Sequence, residues 1–257
     1  MVKSLVIRTA GTNCDLETKF ALELAKSKVS LWHMNKLKNN PAGLLDFNII
    51  CFPGGFTYGD DISAGKVFAN QLKFWFKDYL LKFIEKGGII LGICNGFQIL
   101  VKTGILPDLD FEQKVSLVMN NSGKFESRWV YLKSDKNKIS QTVKDIWIKG
   151  LPDIIHLPVA HGEGKFYADK NVLEKLEDNK QIIFKYVDSK GEEKGYPCNP
   201  NGSMCNIAGI SDATGKVLAL MPHPERCIYP YQMPLWQQEE TSAWGIKIFE
   251  NAVNYFK

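Results

Sequence analysis

In "GICNGFQIL" (92–100), Cys94 stands between Gly92 and Gly96, directly after the apolar run "GGIILGI". A strand ending at Ile93 and a helix starting at Asn95 make this a G-x-C-x-G turn. That is the logic of a nucleophile elbow with sulfur in place of oxygen. The glycines give room for a sharp strand-to-helix turn. The helix N-terminus presents the positive end of its dipole, which favours a negatively charged sulfur. Backbone N–H groups at the same turn can hold an oxyanion. The bland alternative is a buried core cysteine in a βα unit, with glycine for close packing.

A nucleophile needs a base, and the chain has four histidines. His33 reads as a strand residue with a structural role, and His156 lies in "IIHLP". His223 lies in "MPHPER", just after the apolar strand "VLAL". Pro224 pushes His223 away from helix and toward extended backbone. Residues two apart on extended chain face the same way, so Glu225 is predicted on the same side as His223. A carboxylate there holds the imidazole in one tautomer and stabilises its protonated form. Taken alone, H-P-E also fits a rigid surface turn. Taken with the elbow, it assigns Cys94 as nucleophile, His223 as base and Glu225 as its orienter. His161, in "AHGEG", is the competing base, and its glycine-rich setting predicts an accessible ring.

A second glycine-rich loop, "FPGGFTYGDD" (52–61), also follows an apolar strand. Its backbone N–H groups suit an oxyanion hole shared with the amide of Asn95. A phosphate-binding loop is the rival reading of "GDDISAGKV" (59–67). It fails on spacing, with five residues between the glycines, and on chemistry, with Val67 where a magnesium-binding hydroxyl belongs. Hydrolysis of ATP by this chain alone is therefore not expected.

The elements that must position these residues alternate. "KSLVIRT", "KVSLWHM", "FNIICF" and "GIILGI" read as strands. "LETKFALELAKS", "FANQLKFWFKDYLLKFIEKGG" and "NGFQILVKTGIL" have helical periodicity. That order predicts a mixed, mostly parallel, doubly wound α/β sheet flanked by helices. From about residue 109 the strands shorten ("FESRWVYLKS", "IIHLPVAHGEG", "QIIFKYVDS", "KVLALMPH"), which predicts an antiparallel extension. "TSAWGIKIFENAVNYF" closes the chain as an amphipathic helix. With no internal repeat or low-complexity linker, one domain over 1–257 is expected.

Composition narrows the classes. The chain is 45% hydrophobic and 23% charged, an ordinary globular balance. A net charge of +4, with no run of like charges, argues against nucleic-acid and membrane-surface partners. The apolar runs fall short of the ~20 residues of a membrane span, and no signal peptide is read at the start. Six cysteines without CxxC spacing suggest neither a disulfide scaffold nor a metal site. A reducing, cytoplasmic compartment follows.

The chain resembles the class I glutamine amidotransferases, and within them the glutaminase-subunit family of phosphoribosylformylglycinamidine synthases. The resemblance is carried by "GTNCDLE", "PGGFTYGDD", "LGICNGFQIL", "PVAHGEGKFY", "NPNGSMCNIAGI" and "MPHPER", in order from residue 11 to residue 226. It implies a flavodoxin-like sheet and the triad Cys94, His223 and Glu225. It implies that Gly55 and Asn95 donate N–H groups to the oxyanion. It further implies that Gly54, Gln98, His161 and Gly162 border a glutamine pocket. Glutamine would be hydrolysed through a cysteine thioester. Ammonia would feed the conversion of formylglycinamide ribonucleotide to the amidine in purine biosynthesis. The implied partners are a large synthetase subunit, which would hold ATP and magnesium, and a small accessory subunit. No cofactor is implied for this chain.

The sequence departs from the family pattern at "DISAGKV", "SMCNIAG" and "CIYPYQMPLWQQEE" (227–240), none of which touches the triad. The aromatics of 228–236 are either a partner surface or part of the core. Glycine at 54 and 55 lets that peptide invert. A chain without its partner is therefore expected to aim the Gly54 carbonyl at the oxyanion position and to be nearly inactive. A cysteine peptidase on the same scaffold and a catalytically silent regulatory subunit are the other two classes. The family-specific stretches count against the first, and the intact triad counts against the second.

Overall fold

The computed structural model describes residues 1–134, 146–234, 236–237 and 242–257. The apolar runs form strands β1 (Lys3–Arg8), β2 (Lys28–His33), β3 (Ile49–Phe52) and β4 (Ile89–Ile93). The shorter ones are β5 (Val115–Val118), β6 (Glu126–Lys133), β7 (Ile154–His161), β8 (Lys165–Ala168), β9 (Ile182–Val187), β10 (Ile207–Ser211) and β11 (Val217–Leu220). The helices are α1 (Asp15–Leu24), α2 (Met34–Asn39), α3 (Lys66–Glu85), α4 (Asn95–Thr103), α5 (Lys170–Asp178) and α6 (Trp244–Asn254).

Nine strands make one sheet in the order β2-β1-β3-β4-β11-β10-β9-β6-β7. The first five run parallel and the remaining pairings are antiparallel. β5 and β8 pair separately. β3, β4 and β11 are buried along their whole length, as parallel strands covered on both faces must be. β7 alternates between half-buried and buried residues, as a strand with one covered face does. Every residue of α4 is buried, because the helix packs on β4, β5 and α3 together.

The parallel strands and their helices lie where the sequence predicts them. The sequence predicts neither strands β5, β8 and β10 nor helices α2 and α5. β5 and β8 are only four residues long, and β10 carries Gly209 against β11. α5 buries only Leu176, so its apolar signal is weak.

The parallel arrangement brings the C-terminal ends of β1, β3, β4 and β11 to one edge of the sheet. The connections that follow them are 9–14, 53–65, Cys94 and 221–226. Ligands of open α/β sheets bind at this edge.

Candidate active site

Cys94 is the single residue between β4 and α4, and its backbone is strained, at φ 51° and ψ −103°. A non-glycine residue in such a conformation costs about 1–3 kcal/mol, which the surroundings must supply. They do so by anchoring and by close packing. The Cys94 N–H donates to the Leu220 carbonyl of β11 at 2.8 Å. A Cβ on Gly96 would lie 1.9 Å from the Phe52 carbonyl oxygen, so only glycine lets α4 approach β3 this closely. The Cys94 side chain is 5% exposed, and its Sγ lies 3.6 Å from the Ala160 carbonyl.

His223 follows β11 at φ −105°, ψ 89°, with its N–H donating to the Pro158 carbonyl at 2.8 Å. The sequence places Glu225 beside it by alternation along extended chain. The structure reaches the same pairing differently, since Pro224–Arg226 is a tight 3-10 turn that folds the carboxylate back. His223 Nδ1 and Glu225 Oε1 are 2.6 Å apart, and the two residues are 2% and 1% exposed. Burial alone pulls the imidazole down. The charges of Glu225 and Cys94 outweigh it and hold His223 well above its ordinary 6.5. The side chains of Cys94 and Cys14 both reach the ring. Nε2 makes no hydrogen bond of its own among the described residues.

The 53–58 segment is clamped by the loop after β1. Phe56 N–H donates to Gly11 O (2.9 Å), Tyr58 N–H to Ala10 O (2.8 Å) and Cys14 N–H to Gly54 O (3.2 Å). Gly55 sits at φ 147°, and a Cβ there would lie 2.8 Å from both Asn13 N and Gly11 O. The Gly54 carbonyl is thus held on Cys14, and the planar trans peptide turns the Gly55 N–H to the opposite side. The contacts that hold this peptide all lie within the chain itself.

Gly55, Cys94, Gln98, His161, Gly162 and Glu163 line one cavity of about 160 Å³. Of the residues the sequence nominates, Gly54, Asn95, His223 and Glu225 lie outside this lining. A Cβ on Gly54 would meet the His223 ring at 2.8 Å. The N–H of Asn95 heads α4, where no carbonyl lies one turn back to accept it. The Asn95 side chain is buried in a network that sequence reasoning missed. Its Oδ1 accepts from Thr57 Oγ1 (2.8 Å), and its Nδ2 donates to Gln98 Oε1 (2.8 Å) and Asp60 Oδ1 (3.2 Å). Gln98 Nε2 donates onward to the Glu163 carbonyl at 2.5 Å, which ties α4 to the 161–164 loop. Lys102 closes the network, donating to Ala64 O (2.6 Å), with Glu163 Oε2 at 3.6 Å. Burial lowers Lys102 and raises Asp60 from their ordinary values.

His161 corrects another expectation. It lines the cavity but is only 3% exposed, and both ring nitrogens are engaged. Asn120 Oδ1, 3.1 Å from Nδ1, also accepts the Gly164 N–H at 3.0 Å, while Asn120 Nδ2 donates to two carbonyls. That oxygen can only accept, so Nδ1 carries the proton and Nε2 faces the amide of Asn201 at 3.5 Å. Burial drives His161 down to about 3, so it stays neutral.

Cys14, in "GTNCDLE", carries no role that the sequence pattern predicts. It is buried against His223 and accepts a 3.1 Å hydrogen bond from Arg226 Nη2. Burial pushes its thiol up to about 11 despite the neighbouring His223. No spacing signal points to it, because Cys14 and Arg226 are 212 positions apart.

The chain is similar to known proteins over its whole length. Residues 1–256 match the family described as the CobB/CobQ-like glutamine amidotransferase domain. A phosphoribosylformylglycinamidine synthase subunit PurQ from Dehalococcoides mccartyi is 47% identical, covering 99% of this chain and 97% of that protein. One from Methanococcus maripaludis is 42% identical over the same shares. Among solved structures, PurLQS from Thermotoga maritima superposes with a TM-score of 0.74 at 30% identity, covering 100% of this chain and 99% of that one. The chain belongs to the glutamine amidotransferase family that includes these PurQ subunits.

Proposed function

We propose that the chain is the glutaminase subunit of a phosphoribosylformylglycinamidine synthase, with Cys94, His223 and Glu225 as its catalytic triad. The observation that carries this reading is the strained Cys94 elbow beside a buried His223–Glu225 pair, opening on a cavity of about 160 Å³. That volume suits a single amino acid, well below the ~300–1,000 Å³ of sites for drug-sized ligands.

In this reading Cys94 Sγ, as a thiolate, attacks the side-chain carboxamide carbon of glutamine. The oxyanion accepts the N–H groups of Gly55 and Asn95. His223, held by Glu225, protonates the departing nitrogen, and ammonia leaves with the C–N bond electrons. The glutamyl thioester remains on Cys94. His223 then takes a proton from water, hydroxide adds to the thioester, and collapse releases glutamate and the thiolate. Gln98 and the 161–164 loop border the substrate, with Gly162 and the neutral His161 in the wall.

Ammonia passes to a large synthetase subunit, which holds ATP and magnesium and makes the amidine. A small accessory subunit completes the complex. This chain itself needs no cofactor. A reducing, cytoplasmic setting fits a mechanism that requires a free thiolate.

Glutamate release by the chain, measured alone and with a synthetase added, tests the proposal. Cys94→Ser should abolish glutamine-dependent amidine formation and spare synthesis from added ammonium. Retained glutamine hydrolysis in Cys94→Ser would overturn it.

A further inference from the structure

Of the buried cysteines the reaction above does not use, Cys14 is the one that lies against His223. Cys14 Sγ, a ring nitrogen of His223 and a carboxylate oxygen of Glu225 all lie within 4.8 Å of one another, and all three residues are buried. Thiolate, imidazole and carboxylate are donor types of zinc sites. The donor set also has spare capacity. Glu225 Oε2 is buried and makes no hydrogen bond among the described residues, while Oε1 lies 2.6 Å from His223 Nδ1. The charge balances as well, since one thiolate and one carboxylate neutralise a dication and a neutral imidazole adds nothing.

We propose that Cys14, His223 and Glu225 form a binding site for a thiophilic divalent cation, zinc in particular, that does not use Cys94. Binding exchanges protons for metal, and nothing is oxidised. The Cys14 thiol proton leaves to solvent and its sulfur lone pair binds the cation. The ring nitrogen facing Cys14 gives its lone pair, and its proton goes to the other nitrogen or to solvent. Three protein ligands leave a fourth position for water.

Arg226 borders this cluster. Its side chain is 36% exposed, and it donates both to Cys14 Sγ at 3.1 Å and to Glu17 Oε1 at 3.0 Å. The cation takes the place of the guanidinium at the sulfur, and Arg226 stays on Glu17. The site rests on this geometry alone. Its consequence, loss of glutaminase activity while metal holds the His223 ring, rests on the function proposed above.

The test uses the full chain with Cys198 and Cys205, the less buried thiols, replaced by Ser in every sample. Zinc binding is read by competition with a chromophoric chelator. One equivalent should bind, and Cys94→Ser should bind it equally. Cys14→Ser and Glu225→Gln should each weaken binding at least about tenfold, since even outer-shell changes cost that much. Cobalt in place of zinc should give a thiolate-to-metal absorption band that survives Cys94→Ser and disappears in Cys14→Ser. Absence of stoichiometric binding would overturn the proposal. So would binding lost in Cys94→Ser and kept in Cys14→Ser. Zinc that binds as described but leaves glutamine hydrolysis intact would keep the site and remove His223 from the mechanism.

Discussion

His223 and His161 stand at strand ends on opposite halves of the sheet and are almost equally buried, at 2% and 3% exposure. Their surroundings are opposite. His223, after parallel β11, meets a carboxylate, and Glu225 holds it above its ordinary value. His161, at the end of antiparallel β7, meets the amides of Asn120 and Asn201 and is driven down to about 3. Burial favours the neutral ring in both, so the partner decides the charge. The parallel half of the molecule therefore supplies the charged pair and the strained turn. The antiparallel half supplies a neutral wall, locked in one tautomer.

Activity should separate the two histidines most strongly. His223→Ala should lower the rate of glutamine hydrolysis by ~10²–10⁴-fold, the usual loss on removing a positioned base. His161→Gln should lose less than about tenfold, below that range, because no proton transfer passes through it. Equal losses in variants of unchanged fold would break the comparison.

Stability should separate the elbow from the wall. Gly96→Ala places a methyl 1.9 Å from the Phe52 carbonyl, where backbone cannot yield as a side chain can. Thermal or denaturant unfolding should show a loss of about 1–3 kcal/mol or more. No loss would mean that α4 is packed less tightly than its contacts indicate.

His161 also predicts an acid limb. Its folded value, about 3, lies below the ordinary 6.5, so the unfolded chain binds the extra proton between those values. Stability from this group is therefore fully present above pH 6.5 and falls as pH drops toward 3. The slope reaches at most about 1.4 kcal/mol per pH unit. His161→Gln should flatten that limb in denaturant unfolding at several pH values. An unchanged slope would assign the limb to other groups.

The smallest effect belongs to the 228–236 aromatics. Tyr231 and Trp236 are 58% and 47% exposed, whereas Ile228 and Met233 are buried. Tyr231→Ala and Trp236→Ala should each change stability by no more than about 0.5 kcal/mol, as exposed positions do. A larger loss would place them in the core.

Much of the chemistry was legible because it is local. The elbow is five residues long and H-P-E is three, so one strand end and one turn bring each set together. The parallel strands were legible because burial on both faces leaves unbroken apolar runs. The wall around His161 was not. Asn120, Gly164 and Asn201 come from separate loops, and glycine-rich spacing suggested an open ring where folding buries it. Cys14 is illegible for the same reason, since only the assembled sheet brings the β1 and β11 ends together. At 228–236 the sequence allows a partner surface or core, and the structure buries Ile228 and Met233 while leaving Tyr231 and Trp236 exposed, with Leu235 outside the described residues.

His223 has two sulfur neighbours, and only one of them is the proposed nucleophile. Cys94 sits on a strained elbow at the cavity, whereas Cys14 is a buried thiol pushed up to about 11. Acid-quenching the chain during turnover of glutamine and mapping the glutamyl thioester by peptide mass spectrometry separates them. The predicted result is a glutamyl group on Cys94 and on no other cysteine. A glutamyl group on Cys14 would contradict the account.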